Sequence, residues 1–180
     1  MLYPASEVES MTRQIIEWIT GWDFTRQLIN RNVTLTREQS EKINSVVLRL
    51  KNHEPLQYIL GETCFFGLKL KVSPAVLIPR PETELLVEEC IQWLESHPSR
   101  RTVADIGTGS GIIAVCLADQ FQDVKICAVD ISEKALNVAK ENASRYHAAE
   151  RIRFLQGNLL EPCNGRFDLI AANLPYIPTR

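Results

Sequence analysis

The fold is decided by the stretch Asp105-Ile106-Gly107-Thr108-Gly109-Ser110-Gly111, which lies between two apolar segments. Its glycines let the backbone turn sharply and approach a ligand at the N-terminus of the next helix. We therefore expect a strand over 102–106 and a helix that begins near Gly111. Residues 107–111 are called the glycine turn below. A tight turn of this kind between a strand and a helix indicates a site for a nucleotide-like cofactor.

The charges around the glycine turn favour one class of cofactor. Ile112 stands where the dinucleotide fingerprint would require glycine. Asp105 would repel a pyrophosphate but would suit the ammonium group of a methionine moiety. Asp130 ends the next predicted strand, where it can accept hydrogen bonds from a ribose diol. The sequence thus predicts S-adenosylmethionine, bound by Asp105, Gly107, Thr108, Gly109, Ser110, Gly111 and Asp130.

The segment after the third predicted strand extends this cofactor site. We predict that the amide of Asn158 meets the edge of the adenine ring and that Leu159 lies against its face. The alternative is that Asn158 only makes a turn after Gly157.

A second motif, Asn173-Leu174-Pro175-Tyr176, closes the fourth predicted strand at the edge where ligands of such sheets bind. The Asn173 side chain and the Leu174 carbonyl can each contact an NH2 group. Pro175 stiffens the turn and Tyr176 offers a flat face for stacking. Alone, the motif is better explained as a strand-ending turn with a core tyrosine. Downstream of a cofactor turn it predicts methyl transfer to a nitrogen, with catalytic Asn173, Pro175 and Tyr176.

The rest of the chain divides into two predicted domains. Residues 1–75 form a small helical bundle, with capping boxes at Ser6/Glu9 and Thr36/Gln39, followed by a β-hairpin linker at about 62–75. Residues 76–180 alternate helix and strand, which indicates a doubly wound parallel sheet. The fold class is therefore α/β. Because such sheets normally contain further strands, we expect this domain to be incomplete at its C-terminal end, with the last strand as an unpaired edge.

Composition excludes several classes of protein. A net charge of -2 and a pI near 6.0 disfavour a broad nucleic-acid surface, so no direct nucleic-acid partner is expected. No apolar run is long enough to cross a bilayer and no signal peptide is evident. The five cysteines lack CxxC spacing, and no histidine has a partner at metal-ligand spacing. We expect a cytoplasmic, monomeric protein without a metal.

Further segments resemble the HemK/PrmC family of protein-(glutamine-N5) methyltransferases. They are Glu54-Pro55-Leu56-Gln57-Tyr58-Ile59-Leu60-Gly61, the pair Phe66-Gly67, and Val76-Leu77-Ile78-Pro79-Arg80-Pro81-Glu82-Thr83-Glu84. The resemblance covers essentially the whole chain. It implies a Rossmann-like class I S-adenosylmethionine-dependent domain preceded by a helical domain that docks a peptide chain release factor. It also implies that residues 173–176 hold the glutamine of that factor's GGQ loop, while Gly107–Gly111, Asp130, Leu159 and Asn173 contact the cofactor.

One position departs from the family pattern, and two other functions remain open. The family motif is usually N-P-P-Y, whereas Leu174 occupies the second place here. The backbone carbonyl survives this change, although the turn loses rigidity. The string N-L-P-Y also resembles the motif of adenine-N6 methyltransferases of ribosomal RNA, which is the main enzymatic alternative. The other alternative is a shortened, inactive chain that only binds a release factor or the cofactor.

Overall fold

The computed structural model describes residues 3–174, and the chain divides into two compact units, Met1–Gly61 and Glu62–Arg180. The sequence placed a boundary near residue 75, with the hairpin in the first part. The hairpin instead falls within the second unit, because its strands hydrogen-bond to a helix of that unit. In the part of the chain that the structure describes, no helix is long and apolar enough to cross a membrane.

The first unit is helical. Its helices are α1 Ala5–Thr20, α2 Phe24–Ile29, α3 Arg37–Lys51 and α4 Leu56–Leu60. They share a small core of Ile15, Val46, Leu50, Leu56 and Ile59. The predicted bundle is therefore present, with α4 as a short fourth helix.

Caps define where these helices begin. The capping box of Thr36 and Gln39 is confirmed. The Thr36 side chain accepts from the Gln39 N–H at 3.2 Å, and Gln39 Oε1 accepts from the Thr36 N–H at 2.9 Å. The predicted box of Ser6 and Glu9 is wrong. Helix α1 begins two residues earlier than this box requires, at Ala5, with Pro4 at the N-cap and no side-chain cap bond. Ser6 consequently lies inside the first turn, where it cannot act as a cap.

The second unit opens with a hairpin. Strands β1 Glu62–Phe65 and β2 Leu68–Lys71 pair antiparallel around the two-residue turn Phe66-Gly67. Both turn residues have positive φ, 48° and 75°, which is the mark of a type I′ turn. The Phe66 N–H donates to Glu84 Oε1 at 2.9 Å, so the turn is also held by a helix of this unit.

A parallel sheet follows the hairpin. Its strands are β3 Thr102–Ile106, β4 Lys125–Asp130, β5 Ile152–Gln156 and β6 Leu169–Ala172. The helices of this unit are α5 Glu82–Ser96, α6 Ile112–Gln120 and α7 Glu133–Arg145. The strand order is β5-β4-β3-β6, all parallel, so the chain returns past its first strand to place β6. This is the Rossmann-like arrangement expected from the sequence.

Helices α5, α6 and α7 contribute to one core on one face of the sheet. Helix α6 is buried along Ile112–Ala118, and it packs with Val103, Ile126 and Ala128 of the strands. The alternate strand positions, Ala104, Ile106, Cys127 and Val129, form a second cluster that Leu155, Cys163 and Phe167 cover. Within residues 62–174 the described helices thus cover one face, while side chains of a strand end and a loop cover the other.

The outer edge of the hairpin is satisfied by the side chains of Asn142, in α7, and Tyr146, the residue that caps the C-terminal end of α7. Tyr146 Oη accepts from the Lys69 N–H at 2.6 Å and donates to the Lys69 carbonyl at 2.9 Å. Asn142 Oδ1 accepts from the Lys71 N–H at 2.7 Å, and its Nδ2 donates to the Lys71 carbonyl at 3.0 Å. Positions i and i+4 of a helix rise by about 6 Å, close to the roughly 6.7 Å between i and i+2 of a strand. The two side chains therefore pair with β2 as a neighbouring strand would.

Asp168 fixes the start of β6 against β3. Its carboxylate accepts from the Arg101 and Thr102 N–H groups, from Thr102 Oγ1 at 2.6 Å, and from Arg100 Nη1 at 3.1 Å. The Thr102 hydroxyl, the Thr102 N–H and Arg100 lower the pKa of Asp168 to about 2. These bonds set the alignment of β6, the strand that directly precedes Asn173.

We expect Asp168→Asn to destabilise the fold in a pH-dependent way. Since the folded-state pKa lies below its ordinary value of 3.8, the stabilisation is fully present above about pH 4 and is lost as pH falls towards 2. The wild type should therefore exceed the variant in urea midpoint at pH 7, and this gap should shrink between pH 5 and pH 3. An equal gap at both pH values would contradict the ionic origin of the effect.

Candidate functional site

The strand order predicts a ligand crevice at the carboxyl ends of β3 and β6. From β3 the chain adds β4 and β5 on one side of the sheet and then β6 on the other side. Ligands of open α/β sheets bind at such a switch point. The parallel pairing aligns Ile106 with Ala172. The glycine turn and Asn173, which follow these two residues directly, therefore begin at the same edge of the sheet.

The glycine turn has the backbone geometry that its composition predicts. Gly107, Gly109 and Gly111 all have left-handed φ values, 69°, 55° and 76°. The Thr108 N–H donates to the Val129 carbonyl at 2.9 Å, which ties the turn to β4. Among the described residues, a Cβ built on Gly109 would meet no atom closer than 3.9 Å, so residues 3–174 leave room there for an approaching ligand.

The two sequence motifs are in direct contact. A Cβ built on Gly107 would lie 2.6 Å from Cδ2 of Leu174. Leu174 therefore packs over the glycine turn, in space that any larger residue at position 107 would take. This contact brings the second residue of the N-L-P-Y motif to the first residue of the glycine turn.

Asp105 lies beneath the glycine turn and is fully buried. Its Oδ2 accepts from Thr108 Oγ1 at 2.6 Å and from the Ala114 N–H at 3.2 Å. Its Oδ1 has no hydrogen-bond partner among the described residues. Burial raises the pKa of Asp105 to about 6, against the two hydrogen bonds that lower it. The carboxylate thus shapes the turn from below, and its contact with an ammonium group stays a prediction.

Asp130 stands at the end of β4 and holds two backbone segments. Its Oδ2 accepts from the Gly109 N–H, and its Oδ1 accepts from the Ser132 N–H, both at 2.9 Å. Each carboxylate oxygen can accept more than one hydrogen bond, so both retain capacity for a ligand. Asp130 therefore links the glycine turn to the start of α7, in addition to any role towards a ribose.

Asn158 and Leu159 lie in an exposed turn after β5. Asn158 Nδ2 donates to Glu161 Oε1 at 2.9 Å, and the Glu161 N–H donates back to the Asn158 carbonyl at 3.0 Å. Leu159 is 50% exposed and has a φ of 48°. The Gly157 N–H donates to the Asp130 carbonyl at 3.1 Å, so this turn adjoins the end of β4. The local bonds fit the turn explanation, and the adenine contact stays a prediction.

The N-L-P-Y motif is described only in part. Asn173 is half-buried, and its Nδ2 donates to Thr83 Oγ1 at 2.9 Å. Pro175 and Tyr176, which the sequence predicts to be catalytic and substrate-binding, lie outside the described residues.

Two residues of this region carried no role in the sequence analysis. Thr83, in the first turn of α5, contacts Asn173. Asn142 is fully buried, and besides its bonds to β2 it donates from Nδ2 to the Ser110 carbonyl at 2.8 Å. The available signal for Asn142 was a polar residue three positions after buried Ala139, on the apolar face of α7.

A cavity elsewhere in the second unit and the question of a metal site complete the description. A cavity of about 390 Å³ is bounded by α5 and β6, and Cys90, Trp93 and Leu169 are among its lining residues. It includes none of the predicted site residues. Among the residues that the structure describes, no group of three or more His, Cys, Asp or Glu could hold a metal ion.

Comparison with known proteins identifies the class. The family model described as ribosomal protein L11 methyltransferase (PrmA) matches residues 86–175, and the PrmC N-terminal domain matches residues 4–61. The solved catalytic domain of hMettl16 aligns with a TM-score of 0.50 at 24% identity, over 63% of this chain and 41% of that one, which supports the fold alone. The second unit is therefore a Rossmann-like methyltransferase domain.

Curated relatives identify the family. A protein from Geobacter sulfurreducens named release factor glutamine methyltransferase is 41% identical over 98% of this chain and 62% of its own length. A protein of the same name from Moorella thermoacetica is 48% identical over 69% of this chain and 44% of its own length. Together with the N-terminal domain match, these relatives show that the chain belongs to the HemK/PrmC family of methyltransferases. The chain spans less than two thirds of the length of these relatives.

Proposed function

We propose that this protein transfers a methyl group from S-adenosylmethionine to the side-chain amide nitrogen, N5, of the glutamine in the GGQ motif of peptide chain release factors. The first unit would dock the release factor, and the second would carry out the transfer. The names of the curated relatives support the substrate class.

The observation that carries the proposal is the contact between Leu174 and Gly107. A transfer reaction requires the donor and the acceptor nitrogen to meet in one crevice. The glycine turn is the candidate donor site, and Asn173-Leu174 is the described part of the candidate acceptor site. Their adjacency at the ends of β3 and β6 is what this chemistry needs.

The residues of the glycine turn fit the proposed cofactor. The space that the described residues leave at Gly109 suits a close backbone approach. The buried Oδ1 of Asp105, which has no hydrogen-bond partner within residues 3–174, leaves negative potential beneath the turn, which suits a cationic ligand. The cofactor would be held by residues 107–111 and Asp130, with Asn158 and Leu159 at the adenine. When bound, S-adenosylmethionine supplies an electrophilic methyl group on a sulfonium.

The task of the chain follows from the weakness of the nucleophile. The lone pair of an amide nitrogen is delocalised into its carbonyl, so the nitrogen must be oriented and its pyramidal form favoured. Asn173 Oδ1 and the Leu174 carbonyl would accept the two N–H groups of the glutamine. Fixing reactants in attack geometry can lower a barrier by roughly 7–11 kcal/mol at best. Hydrogen bonds aimed at the charge that develops on the nitrogen would add to this effect.

One observation favours a second candidate function. The string N-L-P-Y, with Leu174 in place of proline, is the form that resembles adenine-N6 methyltransferases of ribosomal RNA. An exocyclic amino group could use the same two acceptors. The net charge of -2 disfavours this alternative, since grip on a phosphate backbone needs clustered cations.

The direct test compares the two acceptors. The full-length protein that carries this sequence is incubated with labelled S-adenosylmethionine and either a release factor or ribosomal RNA. We expect label on the release factor, located by mass spectrometry at the GGQ glutamine, and none after a Gln→Ala change in that motif. Label in ribosomal RNA alone would overturn the proposal in favour of the second candidate.

We predict that Asp130→Ala weakens S-adenosylmethionine binding by about 10- to 100-fold, the effect of losing hydrogen bonds to a charged group. The variant would lose the proposed ribose contact and also the bond that holds Gly109. Isothermal titration calorimetry measures the affinity. Asp119→Ala, at an exposed position near the end of α6, is the control and should leave the affinity unchanged. Equal affinities for all three proteins would remove Asp130 from the site.

A further inference from the structure

One buried side chain joins the glycine turn to the hairpin. Asn142 of α7 is fully buried, and its Nδ2 donates to the Ser110 carbonyl at 2.8 Å and to the Lys71 carbonyl at 3.0 Å. Its Oδ1 accepts from the Lys71 N–H at 2.7 Å. The side-chain amide of Asn142 thus bonds to three backbone groups, one in the glycine turn and two in β2.

These partners leave the Asn142 amide only one orientation. A backbone carbonyl can only accept a hydrogen bond, and a backbone N–H can only donate one. Turning the amide over would place Nδ2 against the Lys71 N–H and Oδ1 against the two carbonyls. No bond could then form, and buried groups without partners are costly. The Lys71 N–H therefore determines which end of the amide is the oxygen, and Nδ2 is directed to Ser110 as a result.

The Ser110 carbonyl belongs to the peptide group that joins Ser110 to Gly111, and this group is bonded at both ends. Its carbonyl accepts from Asn142, and its N–H, that of Gly111, donates to the Thr108 carbonyl at 2.8 Å. Ser110 lies between Gly109 and Gly111, and glycine has more backbone freedom than any other residue. Asn142 therefore fixes to α7 and β2 a peptide group whose neighbours would otherwise let it turn.

Two other bonds fix the earlier part of the glycine turn. The Thr108 N–H donates to the Val129 carbonyl, and the Gly109 N–H donates to Asp130, so both bonds lead to β4. Asn142 adds a bond from another element, α7. A turn that is already fixed in its binding conformation loses less conformational entropy when a ligand binds, which raises the affinity.

We propose that Asn142 is a positioning residue for the cofactor, because it holds the peptide group between Ser110 and Gly111 in the orientation to which S-adenosylmethionine binds. The inference rests on the proposed function, in which residues 107–111 contact this cofactor. Asn142 is fully buried, so it acts through the peptide group and does not touch the cofactor. Its loss leaves the residues of the turn unchanged, but the turn then has to be ordered when the cofactor binds.

The first test compares two substitutions in the full-length protein. Asn142→Ala removes the bonds to Ser110 and Lys71, whereas Tyr146→Phe removes the two bonds to Lys69 of β2 and leaves Ser110 unaffected. We expect Asn142→Ala to raise the dissociation constant of S-adenosylmethionine by about 5- to 30-fold, the cost of fixing the backbone of about one residue on binding. Tyr146→Phe should stay within twofold of wild type.

The readouts separate a positioning role from support of the fold. A thermal melt gives the temperature range in which each variant is folded, and calorimetry within that range measures the affinity. The KM for S-adenosylmethionine should rise in Asn142→Ala by the same factor as the dissociation constant, while kcat at saturating cofactor stays within a few fold. A folded but less stable Asn142→Ala that binds the cofactor as wild type does would overturn the inference.

A measurement on the wild type decides the matter if Asn142→Ala does not fold. By NMR, the side-chain amide of Asn142 should exchange its hydrogens far more slowly than that of Asn137, which is exposed on the same helix. Saturating S-adenosylmethionine should slow this exchange further, by a larger factor than at the Lys69 N–H, because a ligand that binds the ordered turn stabilises the bond that orders it. Equal slowing at both groups, or none at Asn142, would overturn the inference.

The outcomes also separate the inference from the function on which it rests. A wild-type protein that binds no S-adenosylmethionine would overturn the proposed function and the inference with it. A wild type that binds the cofactor and methylates the release factor, together with an Asn142→Ala of unchanged affinity, would overturn the positioning role alone. Equal weakening by Tyr146→Phe would assign the effect to the hairpin rather than to the bond with Ser110, and would likewise overturn the inference.

Discussion

Asn173→Ala is expected to lower kcat for glutamine methylation by about 10²- to 10³-fold, the usual cost of removing one hydrogen-bonding group that acts on the developing charge. Alanine removes the acceptor that would orient the amide nitrogen, while the Leu174 carbonyl remains. The affinity for S-adenosylmethionine should change by no more than a few fold. This division of roles is expected because the main cofactor contacts would come from the glycine turn and Asp130.

Steady-state kinetics and calorimetry together measure the two effects. Asn137→Ala, at an exposed position of α7, is the matched control for the loss of an asparagine side chain. The substitution also leaves the buried Thr83 hydroxyl without its donor, so we expect a small loss of stability, about 1 kcal/mol. A loss of cofactor affinity as large as the loss of kcat would contradict the assignment of Asn173 to the acceptor side of the site.

Local patterns predicted most of the second unit because the responsible forces act over short sequence distances. The glycine turn requires positive φ at Gly107, Gly109 and Gly111, which glycine adopts without strain, and the structure has these values. The hairpin that the sequence predicted at about 62–75 is likewise present, over Glu62–Phe65 and Leu68–Lys71. Failures also had local causes. The Ser6/Glu9 pattern matched a capping box, yet the helix already begins at Ala5, with Pro4 as its N-cap.

Contacts between distant segments could not be predicted in the same way. The bond from Asn173 to Thr83 spans 90 residues, and those from Asn142 to Lys71 span 71. They depend on where whole helices pack, which no short window of sequence specifies. The sequence analysis assigned the hairpin to the first domain because the residues of the hairpin alone do not show that it hydrogen-bonds to α7. The helical periodicity of α7 nevertheless gives one indication of this contact, because it places Asn142 on the buried face of the helix.

Gly111→Ala is the substitution for which we expect the largest loss of stability. A Cβ at this position would lie 2.8 Å from the Cβ and 3.1 Å from the Cα of Ala139 in α7. The φ of Gly111 is 76°, which costs an L-residue about 1–2 kcal/mol. Overlap with a packed helix adds about 1–3 kcal/mol, because α6 is buried and cannot move freely. The displaced turn should also bind S-adenosylmethionine more weakly.

Gly67→Ala separates the two causes of this loss. Gly67 has nearly the same φ, 75°, but a Cβ built there would meet no atom of the described residues within 4 Å. Urea denaturation should therefore show that Gly111→Ala lowers the free energy of unfolding by about 1–3 kcal/mol more than Gly67→Ala does. Adding Ala139→Gly to Gly111→Ala should recover part of this difference, less the roughly 1 kcal/mol that glycine costs inside a helix. Equal destabilisation by Gly111→Ala and Gly67→Ala would mean that α6 and α7 can separate at little cost. The glycine turn would then owe its shape to its own backbone and to Asp105 and Asp130 rather than to the packing of α7 against it.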